Sequence, residues 1–397
     1  MGMSSKKHQI PAIRFEGFTD AWEQRKLGDV YTERNKRGND SLKILSVSIH
    51  HGVSNEELDS NTLGKEVRRS EDKSLYKHVY FGDLVLNMMR AWQGAVGVVK
   101  SEAMVSPAYI TAVPSAELYP LFMDYYLRRD EAIGQMNNLS YGVTDFRKRL
   151  YWDSFVKVLC HIPTVAEQER ITVFFTHLDD TIALHQRKLT LFNQLKETYL
   201  KQMFPQNEEN MPVLRFADFS EPWEQRKLGD TVQITMGQSP NGENYTDNPR
   251  DHILVQGNAD MKNGRVCPRV WTTQVTKKAD PEDIILSVRA PVGDVGRTDY
   301  TVVLGRGVAG IKGNAFIFQT LSRMKEQGFW TRYSSGSTFE SINSADLKDA
   351  FIQICHIEEQ TKIGDFFTKL DDTIALHQSK LQKLAELKKT LLAKMLV

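Results

Sequence analysis

The chain has 397 residues, a hydrophobic content of 41% and a formal net charge of +1 at pH 7. This length is enough for two or more domains, and the composition is typical of a globular protein. No apolar run approaches the ~18–20 residues of a membrane-spanning helix, and no secretory signal follows the N-terminus. Three cysteines without a CxxC spacing argue against a zinc site or disulfide framework. We therefore expect a cytoplasmic protein that does not bind membranes.

The first half of the chain is predicted to hold a leading segment, a mixed module and a long helix. In chain order, the predicted elements are a leading segment over 11–29, a strand over 42–49, sheet and turns over 79–99, a helix over 118–136, a strand over 155–162 and a long helix from 165. Thr164 followed by Glu167 predicts a capping box where this helix begins.

The second half repeats this plan. The sequence WEQRKLGD at 22–29 returns unchanged at 223–230, and the stretch 83–97 parallels 283–296. The elements predicted after the second leading segment are a glycine loop over 235–242, a strand over 284–288, a glycine turn over 305–310, a helix over 321–330, a strand over 351–357 and a second long helix. Two modules of one fold with different surface residues would have different specificities.

The long helices are the strongest repeat in the chain. Phe174–Leu189 recurs, nearly unchanged, as Phe366–Leu381, 192 positions further on. Apolar residues at 3-4 spacing predict the seam of a left-handed coiled coil, in which His185 and His377 would set the register. The seam residues proposed as the core of the helix pair are Phe175, Leu178, Ile182, Leu189, Phe192, Phe367, Leu370, Ile374, Leu381 and Leu384.

Five further leucines are expected to widen this apolar stripe: Leu184, Leu191, Leu195, Leu376 and Leu387. Two near-identical helices in one chain favour pairing with each other. An antiparallel arrangement, which we expect, would relate the two halves by a pseudo-two-fold axis. A homodimerising coiled coil is the alternative.

The net charge does not by itself indicate nucleic-acid binding, so any DNA-binding face must come from local clusters. Arginine can bridge guanine O6 and N7 or bind phosphate, and amides can read adenine. The candidates in the first half are Arg34, Arg37, Arg68, Arg69, Arg90, Arg147, Lys148 and Arg149. Those in the second half are Gln238, Ser239, Asn241, Arg250, Arg265, Arg269, Arg289, Arg297, Arg306 and Arg332.

For each of these arginines, an ordinary solvated surface role is the alternative. Arg90 and Arg289 share a motif position, so both could instead be structural ties common to the two modules.

Three common catalytic motifs are absent from the sequence. It contains no Asn-Pro-Pro-Tyr/Phe of an amino-methyltransferase, no Walker A motif and no HExxH. The acidic stretch 280–283 is better interpreted as a turn before a strand than as a metal site. These absences argue against a stand-alone nuclease or methyltransferase, and no catalytic residue or metal ligand is predicted.

Together these features resemble the specificity subunit of a type I restriction-modification system. The resemblance covers residues 13–397 and is carried by WEQRKLGD, MGQSP at 236–240, the stretch 283–296, GRGVAG at 305–310 and the duplicated helix. The first half lacks a GQSP loop, and its equivalent is Tyr31–Asp40. The resemblance implies an α/β (α+β) fold, in which two globular target-recognition domains (1–164 and 207–357) are separated by antiparallel coiled-coil helices (165–206 and 358–397).

The resemblance also implies a function. Such a chain would bind double-stranded DNA, dock two modification (methyltransferase) subunits and two restriction subunits, and hold no cofactor itself. S-adenosylmethionine, ATP and Mg²⁺ would belong to the partner subunits. A non-catalytic coiled-coil scaffold, or a silent specificity cassette without an active partner, is the alternative.

Overall fold

The computed structural model describes residues 10–39, 41–49, 52–54, 73–142, 144, 147–206, 209–330 and 341–397. The chain divides into two compact units. Unit 1 comprises Met1–Leu184 with Gln382–Val397, and unit 2 comprises His185–Leu381. Each unit therefore contains part of both long helices. In the described part of the chain, no helix is both long enough and apolar enough to cross a membrane.

Unit 1 is built from short strands and short helices around two buried apolar clusters. Its strands are β1 (Glu23–Lys26), β2 (Tyr31–Glu33), β3 (Ile44–Leu45), β4 (Val47–Ser48), β5 (Gly52–Val53), β6 (Lys77–Val79), β7 (Leu84–Asn87), β8 (Val96–Val98), β9 (Ala103–Val105), β10 (Tyr109–Pro114) and β11 (Leu159–Ile162). Its helices are α1 (Leu27–Val30), α2 (Phe122–Tyr126), α3 (Asp130–Leu139), α4 (Trp152–Phe155) and the first part of the long helix α5 (Val165–Gln202).

Unit 2 follows the same plan with more strands. They are β12 (Glu224–Lys227), β13 (Gln233–Met236), β14 (Tyr245–Thr246), β15 (His252–Val255), β16 (Met261–Lys262), β17 (Arg265–Val266), β18 (Trp271–Thr272), β19 (Lys278–Ala279), β20 (Ile284–Ser287), β21 (Val295–Arg297), β22 (Val302–Leu304), β23 (Val308–Lys312) and β24 (Phe351–Ile354). The helices are α6 (Leu228–Thr231), α7 (Ala315–Glu326), α8 (Ser344–Lys348) and the first part of the long helix α9 (Ile357–Met395).

A central antiparallel sheet is common to both units. Its strand order is β2-β10-β7-β8 in unit 1, and β13-β23-β20-β21 in unit 2, where β17 and β16 extend it. The strands β7 and β20 lie inside each sheet, and their first three residues are fully buried. The sheets are therefore covered on both faces, which explains why these strands are continuous apolar runs in the sequence.

Several predicted elements have different bounds in the structure. The strand predicted over 42–49 is split into β3 and β4, and the helix predicted over 118–136 is split into α2 and α3. The strand predicted from Phe155 begins only at Leu159, because the preceding residues form α4. The helix predicted from Leu321 already begins at Ala315, where the Asn314 side chain accepts a hydrogen bond from the backbone N–H of Ile317.

The two leading segments are held in the same way. β1 pairs with β11 and β12 pairs with β24, both antiparallel and in equivalent register. At the turn that follows, a Cβ on Gly28 would lie 2.7 Å from the Cβ of Val156, and one on Gly229 would lie 2.8 Å from the Cβ of Lys348. The repeated glycine thus marks a close approach that occurs in both units.

A buried ion pair joins each leading segment to the start of a long helix. The Arg14 guanidinium donates from Nε and an Nη atom to both oxygens of Glu167, at 2.6 and 2.7 Å. Arg215 and Glu359 form the same bidentate pair at 2.7 and 2.9 Å. Both carboxylates are at most 1% exposed. The capping box predicted at Glu167 is therefore wrong in its second half: the backbone N–H of Glu167 reaches Thr164 Oγ1 at 3.4 Å, but its carboxylate is bound to Arg14.

The glutamine after each glutamate joins the helix to its module. Gln168 accepts a hydrogen bond from the backbone N–H of Tyr119 and donates to the carbonyl oxygens of Glu117 and Pro163. Gln360 accepts a hydrogen bond from the Asn314 side chain and donates to the carbonyl oxygen of Cys355, the residue that follows β24. The repeated Glu-Gln dipeptide therefore fixes the leading segment, last strand and module around each helix start.

The two long helices pair with each other inside each unit. In unit 2, His185 Nδ1 lies 2.7 Å from His377 Nδ1, and Lys196 Nζ lies 2.7 Å from a carboxylate oxygen of Asp371. Because the later residue of α5 meets the earlier residue of α9, the helices are antiparallel there, as predicted. In unit 1, Lys388 forms the equivalent pair with Asp179 at 2.5 Å.

The ten proposed seam residues are all buried or half-buried. Phe175 and Phe367 are fully buried, and Phe175 packs against Tyr125 of the module with ring centroids 5.3 Å apart. The expectation of a wider stripe is wrong, because the five further leucines are 39–57% exposed. An antiparallel pair needs only the narrow seam, so neighbouring leucines remain at the surface.

The buried Arg215–Glu359 pair provides a direct stability test. Arg215→Ala would leave the Glu359 carboxylate buried without its cation, and we expect it to lower the free energy of unfolding by about 3–5 kcal/mol. The matched control is Arg226→Ala, which removes an arginine from an exposed pair with Glu224 and should change stability little. Denaturant unfolding of both variants measures the difference. Equal effects would show that the buried pair has no special role.

Candidate nucleic-acid interface

Several of the predicted polar and basic residues lie where a central strand reaches the surface. After β7, Met88 donates its N–H to the carbonyl of Ala108 and accepts from Leu150. After β20, Val288 donates to Gly307 and accepts from Ile342 in the same pattern. The two positions are therefore equivalent. Arg289 follows this position by one residue and Arg90 by two, so the two arginines differ in register by one residue. Both are exposed.

In unit 2 this position opens into a concave surface, here called the arginine notch. The notch is lined by Ser239, Gln256, Gly257, Ser287, Arg289, Ala290, Arg306 and Gly307. It therefore brings together three residues predicted from the sequence, Ser239, Arg289 and Arg306. Two exposed guanidinium groups beside hydroxyl and amide side chains are a combination suited to phosphate and base edges.

Close backbone contacts build the notch. The N–H groups of Gly237 and Gln238 donate to the carbonyls of Val308 and Leu304 at 2.9 and 2.8 Å. Ser239 Oγ accepts from the backbone N–H of Arg306 at 3.1 Å. A Cβ added to Gly307 would clash with the carbonyl oxygen of Gln256, and one on Gly237 would clash with that of Gly305. The glycine loop and glycine turn predicted from the sequence thus pack directly against each other.

A buried carboxylate holds the remaining wall of the notch. Asp260 is 4% exposed and accepts hydrogen bonds from the backbone N–H groups of Gln256 and Gly257, at 2.8 and 3.2 Å. Its other oxygen lies 3.2 Å from Arg269. Arg269 was predicted to contact DNA, and the structure places it where it supports the notch.

In unit 1 the equivalent surface is basic and aromatic. The Lys148 ammonium lies 5.1 Å from the ring centroid of Trp92 and also donates to Asn137. Tyr141 is 53% exposed and stacks on Tyr151, with centroids 4.9 Å apart. Backbone hydrogen bonds between Tyr141 and Arg149 close the loop that carries the predicted basic run. Aromatic faces beside cations suit stacking and phosphate contact.

The other predicted contacts fall into three groups. Four arginines are in ion pairs: Arg34 with Asp83 at 2.6 Å, Arg265 with Asp299 at 2.7 Å, Arg269 with Asp260 at 3.2 Å and Arg297 with Glu282 at 3.3 Å. The side chains exposed outside these pairs and the notch are Arg37, Arg90, Arg147, Arg149, Gln238, Asn241 and Arg250. Arg68, Arg69 and Arg332 lie outside the described residues.

The pairing changes what two of these arginines can do. Burial lowers the pKa of Arg297, with Glu282 opposing that shift, and its guanidinium lies 5.7 Å from the ring centroid of Phe318. Arg34 donates a hydrogen bond to Asp83, which is 1% exposed, and its Nε lies 2.6 Å from the second carboxylate oxygen. A DNA phosphate would have to compete with these internal partners.

Sequence reasoning missed Trp92, Tyr141 and Gln256, whose only signal was their position after a buried strand or beside a basic run.

The described residues also bear on chemistry. Among them, no group of three or more His, Cys, Asp or Glu side chains lies together as a metal site. In the acidic stretch 280–283, Asp280 and Asp283 bind Lys312 at 2.8 and 3.4 Å. Burial raises the pKa of the Cys160 thiol to about 12, which disfavours a reactive thiolate.

The part of the chain that holds the notch is similar to a known protein family. Residues 220–386 match the family described as "Type I restriction modification DNA specificity domain". All but the last five of the matched residues belong to unit 2. The resemblance drawn from the sequence repeats is therefore confirmed.

A curated relative resembles a larger part of the chain than the family model does. The chain is 29% identical over 242 residues to the type I restriction enzyme MjaX specificity subunit of Methanocaldococcus jannaschii, and the match covers 58% of this chain and 56% of that one. The chain thus spans little more than half the length of this curated relative.

Two solved structures resemble the whole chain. The S subunit of a type I restriction-modification system from M. genitalium has a TM-score of 0.66 at 13% identity, over 98% of this chain and 99% of that one. A chain from a study of complex assembly and conformational transition of the type I R-M system has a TM-score of 0.54 at 20% identity, over 96% and 99%. At these identities the likeness concerns the fold, and it confirms the predicted fold class.

The close packing inside unit 2 can be tested at one glycine. Gly307→Ala should force the notch walls apart, because its Cβ would clash with the carbonyl of Gln256, and we expect a loss of about 1–3 kcal/mol in stability. Gly242→Ala is the control, since nothing lies within 4 Å of a Cβ there. Thermal unfolding compares the two, and a Gly307→Ala variant as stable as Gly242→Ala would contradict this packing.

Proposed function

We propose that this chain is the sequence-specific DNA-binding subunit of a type I restriction-modification enzyme. Unit 1 and unit 2 would each read one half of a bipartite site in double-stranded DNA, mainly in the major groove. The chain would carry out no chemistry itself. S-adenosylmethionine, ATP and Mg²⁺ would be bound by the partner subunits that methylate, translocate and cleave DNA.

One observation carries this proposal. Two units with the same central sheet present different side chains at the same backbone position, immediately after β7 and β20. Unit 1 offers Trp92 and Lys148 near this position, whereas unit 2 offers Arg289 and Arg306. A duplicated scaffold with divergent surface chemistry is what two independent readings of base sequence require.

The paired helices would set the spacing between the half-sites. The separation of two DNA-reading modules fixes the number of unread base pairs between their sites. Repeated interhelical pairs such as Lys196–Asp371 and Lys388–Asp179 favour a defined helix register, and hence a defined spacer.

Two modification subunits and two restriction subunits are the proposed protein partners. Exposed apolar residues recur at equivalent positions of the two repeats: Leu159 with Phe351, Val165 with Ile357, Leu184 with Leu376, and Leu195 with Leu387. These apolar side chains are exposed at the same positions of both repeats. They therefore support two equivalent docking surfaces for modification subunits, on the long helices and beside the leading segments.

The arginines of the notch provide a test of DNA binding. For a subunit that neutralises DNA phosphates, the logarithm of the binding constant falls linearly with the logarithm of the salt concentration. The slope is about −0.9 for each phosphate that is neutralised. The double variant Arg289→Ala/Arg306→Ala should bind duplex DNA more weakly. The magnitude of its salt slope should be smaller by about 1 for each phosphate that the variant no longer binds. Fluorescence anisotropy from low to moderate salt measures both quantities.

The control has the same charge change elsewhere in unit 2. Arg226→Ala/Lys227→Ala removes two exposed cations of the leading segment, both in ion pairs, and should retain the wild-type slope. Binding that does not depend on salt, or equal slopes for the two double variants, would count against the proposal and favour a scaffold role.

A further inference from the structure

Gln256 is a notch residue whose chemistry is not explained by the folding of the loop. It follows β15, is half-buried, and lines the notch together with Ser239, Arg289 and Arg306. Its side-chain Nε2 donates a hydrogen bond to the phenolic oxygen of Tyr245 at 3.0 Å. Tyr245 belongs to strand β14, which is separated from β15 by β18 in the same sheet, and it is 36% exposed.

This hydrogen bond determines what the amide can offer to a ligand. A glutamine amide has two N–H donors and one carbonyl acceptor. Since Tyr245 uses one N–H, the second N–H and Oε1 remain for a partner. Adenine presents the complementary pair on its major-groove edge, an N6 donor and an N7 acceptor, and a glutamine amide can bind both at once. Guanine presents two acceptors there, which would leave Oε1 facing another acceptor.

The backbone of Gln256 is held firmly enough for such a reading role. Its N–H is bound by the buried Asp260 carboxylate at 2.8 Å, and Gly305 donates to the carbonyl of the preceding Val255 at 2.7 Å. The absence of a side chain at Gly305 and Gly307 lets the turn pack against Gln256. A preorganised amide loses little entropy on binding, which strengthens discrimination between bases.

The charges around the amide agree with this role. Arg289, which follows β20, and Arg306, in the glycine turn, line the notch with it, and both are exposed. Cations on two sides of a neutral amide would attract and orient the phosphate backbone, while the amide itself would contact a base edge.

We propose that Gln256 reads an adenine in the half-site bound by unit 2, with Tyr245 as the positioning residue for its amide. This inference rests on the proposed function and adds a base identity and a residue to it. Gln256→Glu replaces the amide donor with an acceptor, which suits the N4 donor of cytosine. The preferred base at one position of that half-site should therefore change from adenine towards cytosine.

The experiment uses the full chain co-expressed with modification subunits, followed by mapping of methylated adenines. Competition binding with the purified complexes then measures their relative affinities for duplexes that carry each of the four bases at every half-site position. For Gln256→Ala we expect discrimination at one position to fall roughly 10- to 100-fold, with the other half-site unchanged. Tyr245→Phe should weaken discrimination at that same position without changing the preferred base, which a merely structural role would not do.

The controls separate the possible failures. Gln327→Ala removes an exposed glutamine of unit 2 outside the notch and should leave the motif unchanged. If Gln256→Glu fails to fold, Gln256→Ala carries the test. A wild-type complex with no bipartite motif would overturn the proposed function. A wild-type motif that both Gln256 variants leave unaltered, or one altered at a position that is not adenine, would overturn this inference alone.

Discussion

The fold depends on a carboxylate buried at the start of each long helix. Glu167 and Glu359 are almost fully inaccessible, and each is neutralised by one arginine of its own leading segment. A buried charge without its partner costs several kcal/mol, so leading segment and helix must be placed together. The hydrogen bond to Glu359 also raises the pKa of Arg215, which keeps that guanidinium charged. The following glutamine then connects the same helix turn to the module.

Because this arrangement occurs twice, both modules are attached to their long helices by the same contacts. Strand pairing, the close approach at Gly28 and Gly229, and the Asp–Lys pairs between the long helices recur at equivalent positions. The units differ in their number of strands and in the side chains exposed after β7 and β20. A scaffold fixed by buried, repeated contacts leaves these exposed turns free to vary, so binding specificity can change in one unit without altering the fold of either.

Much of this fold was predictable because its signals are local. A 3-4 apolar spacing over Phe174–Leu189 predicts a helix and its seam without knowledge of the partner, and the repeat identifies that partner. What failed depends on contacts distant in sequence. Arg14 and Glu167 are 153 positions apart, so their pairing, and the loss of the predicted capping box, could not be inferred from spacing. The exposed leucines were misjudged because stripe width depends on how many helices pack together.

The candidate site was predictable in outline only. Glycine loops and arginine clusters indicated a candidate surface, and Ser239, Arg289 and Arg306 do line one notch. The sequence could not show that Arg34 is tied to Asp83, because that partner is 49 positions away. It also gave no reason to single out Gln256, whose environment is made by Tyr245, Asp260 and two glycines from separate loops.

The most direct test of independent reading by the two units is a module exchange read out by methylation. Residues 231–350 would be replaced by the corresponding stretch of a relative with a different target, and methylated adenines would be mapped in cells that contain the modification subunits. If the two units read DNA independently, one half-site of the bipartite motif changes, while the other half-site and the spacer length stay the same. Changes in both half-sites, or an unchanged motif, would contradict independent reading by two modules on a shared scaffold.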